Sequence, residues 1–251
     1  MITLTLVGIG SGNPEHLTLQ AVRALNEADL ILIPEKGKAK DELAQVRREI
    51  CANVLTSDVH IQGFELPIRN EAITDYDARV NDWHDRIAVI WKQQIDAHLP
   101  DGGGVAFLVW GDPSLYDSTL RIADRIQAKM TLDVKVIPGI TSIQTLTAAH
   151  AIPVNTINGP FVVTTGRRLR DEGLPVGIEN VIVMLDGECS FTGLNPDGLH
   201  IYWTAYAGME GEINLSGPLS EITDEIIATR KAARENRGWV MDIYMLVRPT
   251  P

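Results

Sequence analysis

Residues 105–111 read VAFLVWG, an apolar run without a polar break that stops on glycine. A strand apolar at successive positions is covered on both faces, as in a parallel sheet flanked by crossover helices. Apolar runs of the same kind occur at 2–8 (ITLTLVG) and 30–34 (LILIP), with helically spaced segments after them at 17–25 and 40–50 (KDELAQVRREI). Alternation of this sort predicts parallel strands joined by helices. Residues 71–99 continue the pattern with Ile87, Trp91, Ile95 and Leu99 at every fourth position, and Pro100 to Gly104 end the run. That stripe reads as a core-facing helix side.

Beyond Asp112 come a helix at 120–129, a strand DVKVIP at 133–138 and a small-residue helix opening at Gly139. The rest is richer in strands, with PFVVTT, NVIVML, LHIYWTAYA and WVMDIYMLV, and a helix SEITDEIIATRKAA between the last two. The reading is two closely packed α/β domains. Residues 1–115 form a largely parallel one and 116–251 a mixed-sheet one. A net charge of −11, from 33 acidic and 22 basic residues, opposes binding to nucleic acid or to anionic membrane surfaces. Cys51 and Cys189 have neither disulfide-scaffold nor metal-site spacing. No basic flank leads into an apolar segment with a cleavage site, so the expected location is the cytoplasm. A polyanionic ligand needs a local basic cluster, and Lys36, Lys38, Lys40, Arg47 and Arg48, or Arg167, Arg168 and Arg170, could provide one or could be solvated helix faces.

GIGSGNPEHLT at 8–18 begins like a dinucleotide fingerprint, and Glu35 stands where a ribose acceptor could be. The match breaks at Asn13, where the third glycine belongs. Thr18 is the better helix cap, so no helix N-terminus lies under the loop to hold a pyrophosphate. A tight turn with positive φ explains the glycines equally well. His16 reads as a surface turn residue. Two further glycine loops, WGDPSLYDST at 110–119 and PGITSIQ at 138–144, also follow strands. Ligands of open α/β sheets bind at strand carboxyl ends, so the loops at 8–14, 111–116 and 138–142 should converge on one crevice. Asp112 is either an acceptor for a ligand hydroxyl or ammonium, or an Asx-turn residue before Pro113.

The ordered set VGIGSGNPEHLTLQAVRAL, WGDPSLY, PGITSIQ, IPVN, TTGR and NVIVML resembles the tetrapyrrole (corrin/porphyrin) methylases and covers nearly the whole chain. Within that family IPEKGKAKDELAQVRREIC at 33–51 is most similar to the branch that methylates C1 of precorrin-5 in cobalamin biosynthesis. That branch releases the C20 acetyl group as acetate and gives precorrin-6A. The resemblance implies a homodimer of two-domain α/β chains with S-adenosylmethionine in a cleft between the domains and a small tetrapyrrole substrate. It implies cofactor contacts at Gly111, Asp112, Leu115, Thr141 and Ser142, completed by Met184 and Ala205. The first loop, with Gly10, Ser11 and Gly12, would face the macrocycle. Lys36, Arg47 and Arg167 would anchor its carboxylates. Where the family has GPGDP this chain has GSGNP, which removes an acid at position 13. Methyl transfer needs no metal. Deacetylation needs a proton acceptor near the water, and Tyr116, Glu35, Asp41 and Tyr76 all remain open for it. Other readings are an NAD(P)-dependent oxidoreductase built on Gly8, Gly10 and Glu35, a binding protein without turnover, or a methylase of another precorrin or of a diphthamide intermediate.

Overall fold

The computed structural model describes residues 1–35 and 41–248, so Lys36, Lys38 and Lys40 lie outside the described residues. The chain divides into two compact units, Met1–Thr141 and Ser142–Pro251.

In the first unit β1 (Ile2–Gly8), β2 (Leu30–Glu35), β3 (His60–Glu65), β4 (Gly103–Val109) and β5 (Leu132–Ile137) form one sheet in the order β3-β2-β4-β1-β5. All its pairings are parallel. The helices are α1 (Leu19–Asn26), α2 (Asp41–Val54), α3 (Tyr76–His98) and α4 (Thr119–Gln127). Successive strand residues face opposite sides. Val7, Ile31 and Leu108 therefore pack with Leu25 of α1 and Ile50 of α2. Leu6, Leu32 and Phe107 pack with Ile87, Trp91 and Ile95 of α3 and Ile122 of α4. The fourfold stripe of α3 is thus a core face, and its Trp91 ring stacks on Phe107 with centroids 3.8 Å apart. Thr18 caps α1 as its sequence position predicts, with Oγ1 accepting from Ala21 N at 3.0 Å.

From β1 the chain crosses β4 to reach β2, whereas from β4 it crosses β1 to reach β5. The two connections leave in opposite directions, with α1 and α4 on opposite faces. The carboxyl ends of β1 and β4 therefore flank a topological switch point, where an open α/β sheet offers a crevice.

The expected boundary at 115/116 is too early. β5 pairs with β1 along Ile2–Val7, and α4 packs on α3, so the first unit runs through Thr141.

The second unit contains α5 (Ser142–Ala149), β6 (Phe161–Thr165), α6 (Gly166–Glu172), β7 (Asn180–Met184), β8 (His200–Ala205), β9 (Ile213–Pro218), α7 (Leu219–Arg237) and β10 (Asp242–Val247). Its sheet order is β6-β7-β10-β8-β9, with β6 and β7 parallel and the other pairs antiparallel. This is the mixed sheet the sequence predicts. Because β10 runs against both β7 and β8, the carboxyl ends of β6, β7 and β8 share one edge with the amino end of β10. Leu169, Val183, Ile201, Trp203 and Ile226 are among the residues of its core.

Candidate active site

The loop after β1 is zipped onto the loop after β4. Ile9 N donates to Val109 O at 2.9 Å, Gly111 N to Gly10 O at 2.8 Å, and Gly10 N to Gly111 O at 3.4 Å. The loop after β5 joins them through Gly139 N, which donates to Asp112 Oδ2 at 2.9 Å. These close approaches need glycine. A Cβ on Gly139 would lie 2.1 Å from Gly111 O, and one on Gly8 would lie 2.6 Å from Gly139 N. Gly10 at φ +76° and Gly111 at φ +64° also adopt the left-handed backbone that side chains disfavour. The three loops expected to converge do so.

Asp112 is committed to this arrangement. Its Oδ1 accepts from Ser114 N at 2.8 Å and Ser114 Oγ at 2.5 Å, while Oδ2 holds Gly139. Burial pushes its carboxyl up, but the Ser114 hydroxyl and the Gly139 and Ser114 N–H groups outweigh that and hold it below the ordinary carboxylate value. Of the two readings of Asp112, the Asx turn describes its contacts. Thr141 Cα lies 3.8 Å from where a Gly111 Cβ would be. Leu115 N closes the turn on Asp112 O at 3.2 Å, and the exposed Tyr116 follows at φ +48°. Ser11 is buried, and Gly12 has φ +113°.

Asn13 caps a short turn, Pro14–His16, by accepting from Glu15 N at 2.9 Å. α1 starts only at Leu19, so the first loop has no helix N-terminus beneath it for a pyrophosphate. Glu35 does not stand open as a ribose acceptor or a base, because its Oε1 is ion-paired with Arg48 Nη2. Gly63 on β3 leaves room for that pair, since a Cβ there would fall 2.3 Å from Glu35 Oε1. Arg47 is also not an outward anchor. Its Nε donates to Leu108 O on β4 and its Nη1 to Leu43 O, both at 3.0 Å, clamping α2 to the sheet. Burial lowers its guanidinium to about 10, against the pull of Asp117. Tyr76 opens α3 beyond the edge strand β3, with the Arg79 guanidinium 5.9 Å from its ring centroid. Lys36 and the side chain of Asp41 lie outside the described residues. His16 is no plain surface residue: it is half-buried against Gly10, and its Nδ1 is enclosed with no hydrogen-bond partner.

In the second unit Met184 ends β7 opposite Thr165, Ala205 ends β8 opposite Asp242, and the exposed Arg167 follows at the start of α6. The sheet edge thus gathers these expected residues. Ser142 opens α5. At the other end of that helix His150 Nε2 lies 3.1 Å from Thr204 Oγ1, which donates to Asn214 Oδ1 at 2.7 Å.

Sequence reasoning missed what holds this edge in place. Asp186, just past β7, accepts from Glu188 N, from Ser190 N and Oγ, and from Tyr244 OH at 2.6 Å. Burial, with the Asp186 charge next, pushes the Tyr244 phenol far up. Asp242 Oδ2 accepts from Arg230 Nε at 2.9 Å and from Trp203 Nε1 at 3.0 Å. Burial raises the Asp242 carboxyl against the opposing pull of Arg230. The available signal was Asp242 at the head of the apolar DIYMLV strand, since a carboxylate there needs a buried partner.

Among the described residues no group of three or more His, Cys, Asp or Glu could hold a metal ion, and no helix is long and apolar enough to cross a membrane. The chain is 48% identical over 98% of its length, and 95% of the other's, to a precorrin-6A synthase [deacetylating] of Sinorhizobium sp. It superimposes with a TM-score of 0.84 and 36% identity on a cobalamin synthesis related protein (CobF) from Corynebacterium diphtheriae, covering 99% of both chains. A uroporphyrin-III C-methyl transferase from Thermus thermophilus, complexed with S-adenyl homocysteine, shares the fold at a TM-score of 0.59 and 18% identity over 98% of this chain and 92% of that one. The family model for Tetrapyrrole (Corrin/Porphyrin) Methylases matches residues 3–223, and the chain belongs to that family.

Proposed function

We propose that this protein transfers a methyl group from S-adenosylmethionine to C1 of precorrin-5 and releases the C20 acetyl group as acetate, giving precorrin-6A in cobalamin biosynthesis. The observation that carries this reading is 48% identity, sustained over 98% of the chain, with a relative bearing that activity. The geometry of the first unit agrees with it. Backbone at Gly8, Gly10, Gly111 and Gly139 meets at the switch point, with no helix N-terminus under the first loop. Such a surface suits a flat macrocycle and an adenosyl group better than a pyrophosphate.

Bound S-adenosylmethionine supplies a methyl group on a sulfonium, which already carries a good leaving group. The task left to the chain is alignment, and orientation of this kind contributes on the order of 7 to 11 kcal/mol. Gly111, Leu115 and Thr141 in the first unit, and Ser142, Met184 and Ala205 in the second, are the proposed cofactor contacts, with Asp112 keeping its loops in register. Gly10, Ser11 and Gly12 are proposed to face the tetrapyrrole. Arg167 and Lys36 are proposed to hold its carboxylates, and Tyr116 and Asp41 are retained as the candidate proton acceptors. The same reading makes the protein a cytoplasmic homodimer, and sedimentation at the mass of one chain would remove the dimer.

Purified protein incubated with precorrin-5 and S-adenosylmethionine should yield a product heavier by one methyl and lacking the acetyl group, with one acetate released per turnover. A substrate recovered unchanged overturns the reading.

A further inference from the structure

His16 occupies the switch point itself. A Cβ on Gly10 would lie 2.7 Å from the His16 Cβ, and Gly10 is the residue bridged to Gly111. Of the two ring nitrogens only Nδ1 is both enclosed and without a partner. An N–H on Nδ1 would be enclosed with no acceptor, and orphaned donors are rarer in folded proteins than under-used acceptors. The imidazole hydrogen therefore belongs on Nε2, which makes that nitrogen a donor.

An N–H donor is poorly matched to the cationic ends of a sulfonium cofactor, and substrate carboxylates are better held by arginine. It is well matched to a carbonyl oxygen that gains charge during reaction. Resting on the function proposed above, we propose that His16 donates from Nε2 to the acetyl carbonyl oxygen of the tetrapyrrole and stabilises the charge that develops there during deacetylation. Water forms a C–O bond to the acetyl carbonyl carbon, and the carbonyl π pair moves onto the oxygen held by His16. That pair returns to remake C=O as the bond between C20 and the acetyl carbon breaks. The released pair enters the macrocycle, which methylation at C1 has left short of one pair. The acetyl group departs as acetate, and the protons of the water pass to the proton acceptor proposed above and from it to solvent.

The test compares His16→Leu, His16→Gln and His16→Asn, with precorrin-5 and S-adenosylmethionine as substrates and the methyl gain and acetate release followed separately. The Gln amide nitrogen reaches where Nε2 stands, while that of Asn reaches only to Nδ1. His16→Leu should slow acetate release by about 10²–10³-fold, the usual effect of removing one such donor. A methylated species that retains its acetyl group should accumulate, and cofactor affinity by calorimetry should be unchanged. His16→Gln should stay within about tenfold of wild type, and His16→Asn should resemble Leu. A purely packing role predicts instead that Leu is tolerated best and that both products fall together. Equal acetate release by the Gln and Asn variants overturns the assignment even if the Leu variant does not fold. Wild-type protein that leaves precorrin-5 unchanged overturns the functional reading and this assignment with it. Wild-type turnover with normal deacetylation by His16→Leu overturns this assignment alone.

Discussion

Both units bring loops to the carboxyl ends of strands, but they fix them by opposite means. At the switch point of the first unit backbone meets backbone, with Gly8, Gly10, Gly111 and Gly139 allowing the close approach and Asp112 clipping the loops together. At the sheet edge of the second unit the strand ends are held from behind by buried charge, through Arg230, Asp242, Asp186 and Tyr244. Bare backbone gives a flat ligand room to approach closely and tolerates no added atom. A buried ionic network tolerates no lost partner, yet the whole of it can in principle be exchanged for an apolar one.

The sharpest way to break this contrast is at the ion pair. Arg230→Met should destabilise the protein by about 3–5 kcal/mol, measured by urea unfolding, because it strands the Asp242 carboxylate, whose side chain is only 5% exposed. The double variant Arg230→Met with Asp242→Leu should regain more than half of that loss. If the double variant is as weak as the single one, the edge depends on the charges themselves, and the contrast between the units fails.

At the switch point the corresponding experiment adds an atom. Gly139→Ala places a methyl 2.1 Å from Gly111 O and 2.8 Å from Gly8 C, backbone atoms that cannot swing aside. A loss of about 3 kcal/mol is expected, at the upper end of overpacking costs. Gly187→Ala, with nothing within 4 Å of the new methyl and no positive φ, should stay within about 0.5 kcal/mol of wild type. Equal effects at the two positions would mean that the three loops can part without harm.

Much of this was legible in the sequence, because local pattern determines it. VAFLVWG is a buried parallel strand, Thr18 caps α1, and the three glycine loops meet. Long-range pairing was not legible. β5 alternates partly covered and exposed residues like any edge strand, and nothing in DVKVIP says that it pairs with the first strand of the chain. Adjacent arginines were equally opaque: one helical step separates Arg47, turned onto the Leu108 carbonyl, from Arg48, turned onto Glu35. At Asp112 and Glu35 the residue type suited a ligand as well as an internal partner, and only the three-dimensional neighbours decided. His16 looked like a turn residue because its enclosure comes from Gly10, which a reading of side-chain pattern passes over.

A smaller effect than at the ion pair or at Gly139 is expected away from both loop sets, and it limits how far the contrast extends. His84 on α3 is 2% exposed, and neither ring nitrogen has a partner, so the first unit buries one titratable ring with no compensation. Burial depresses its pKa below the ordinary value, and Arg125, Arg121 and Arg69 add to that, with Asp85 opposing. The folded state therefore keeps this ring neutral where the unfolded chain takes up a proton. Its contribution is fully present above about pH 6.5 and is lost as the pH falls through the depressed folded value. His150 and His200 are shifted in the same direction by burial, so acid sensitivity below about pH 6.5 belongs to all three. His84→Leu removes one share of it. Urea midpoints at two pH values should show a gain of up to about 1 kcal/mol at neutral pH, because an unpartnered polar group gives way to an apolar one of similar size. The gain should widen toward acid. A loss at neutral pH would mean that the ring makes a bond worth keeping, and that the first unit, too, relies on a buried polar side chain away from its loops.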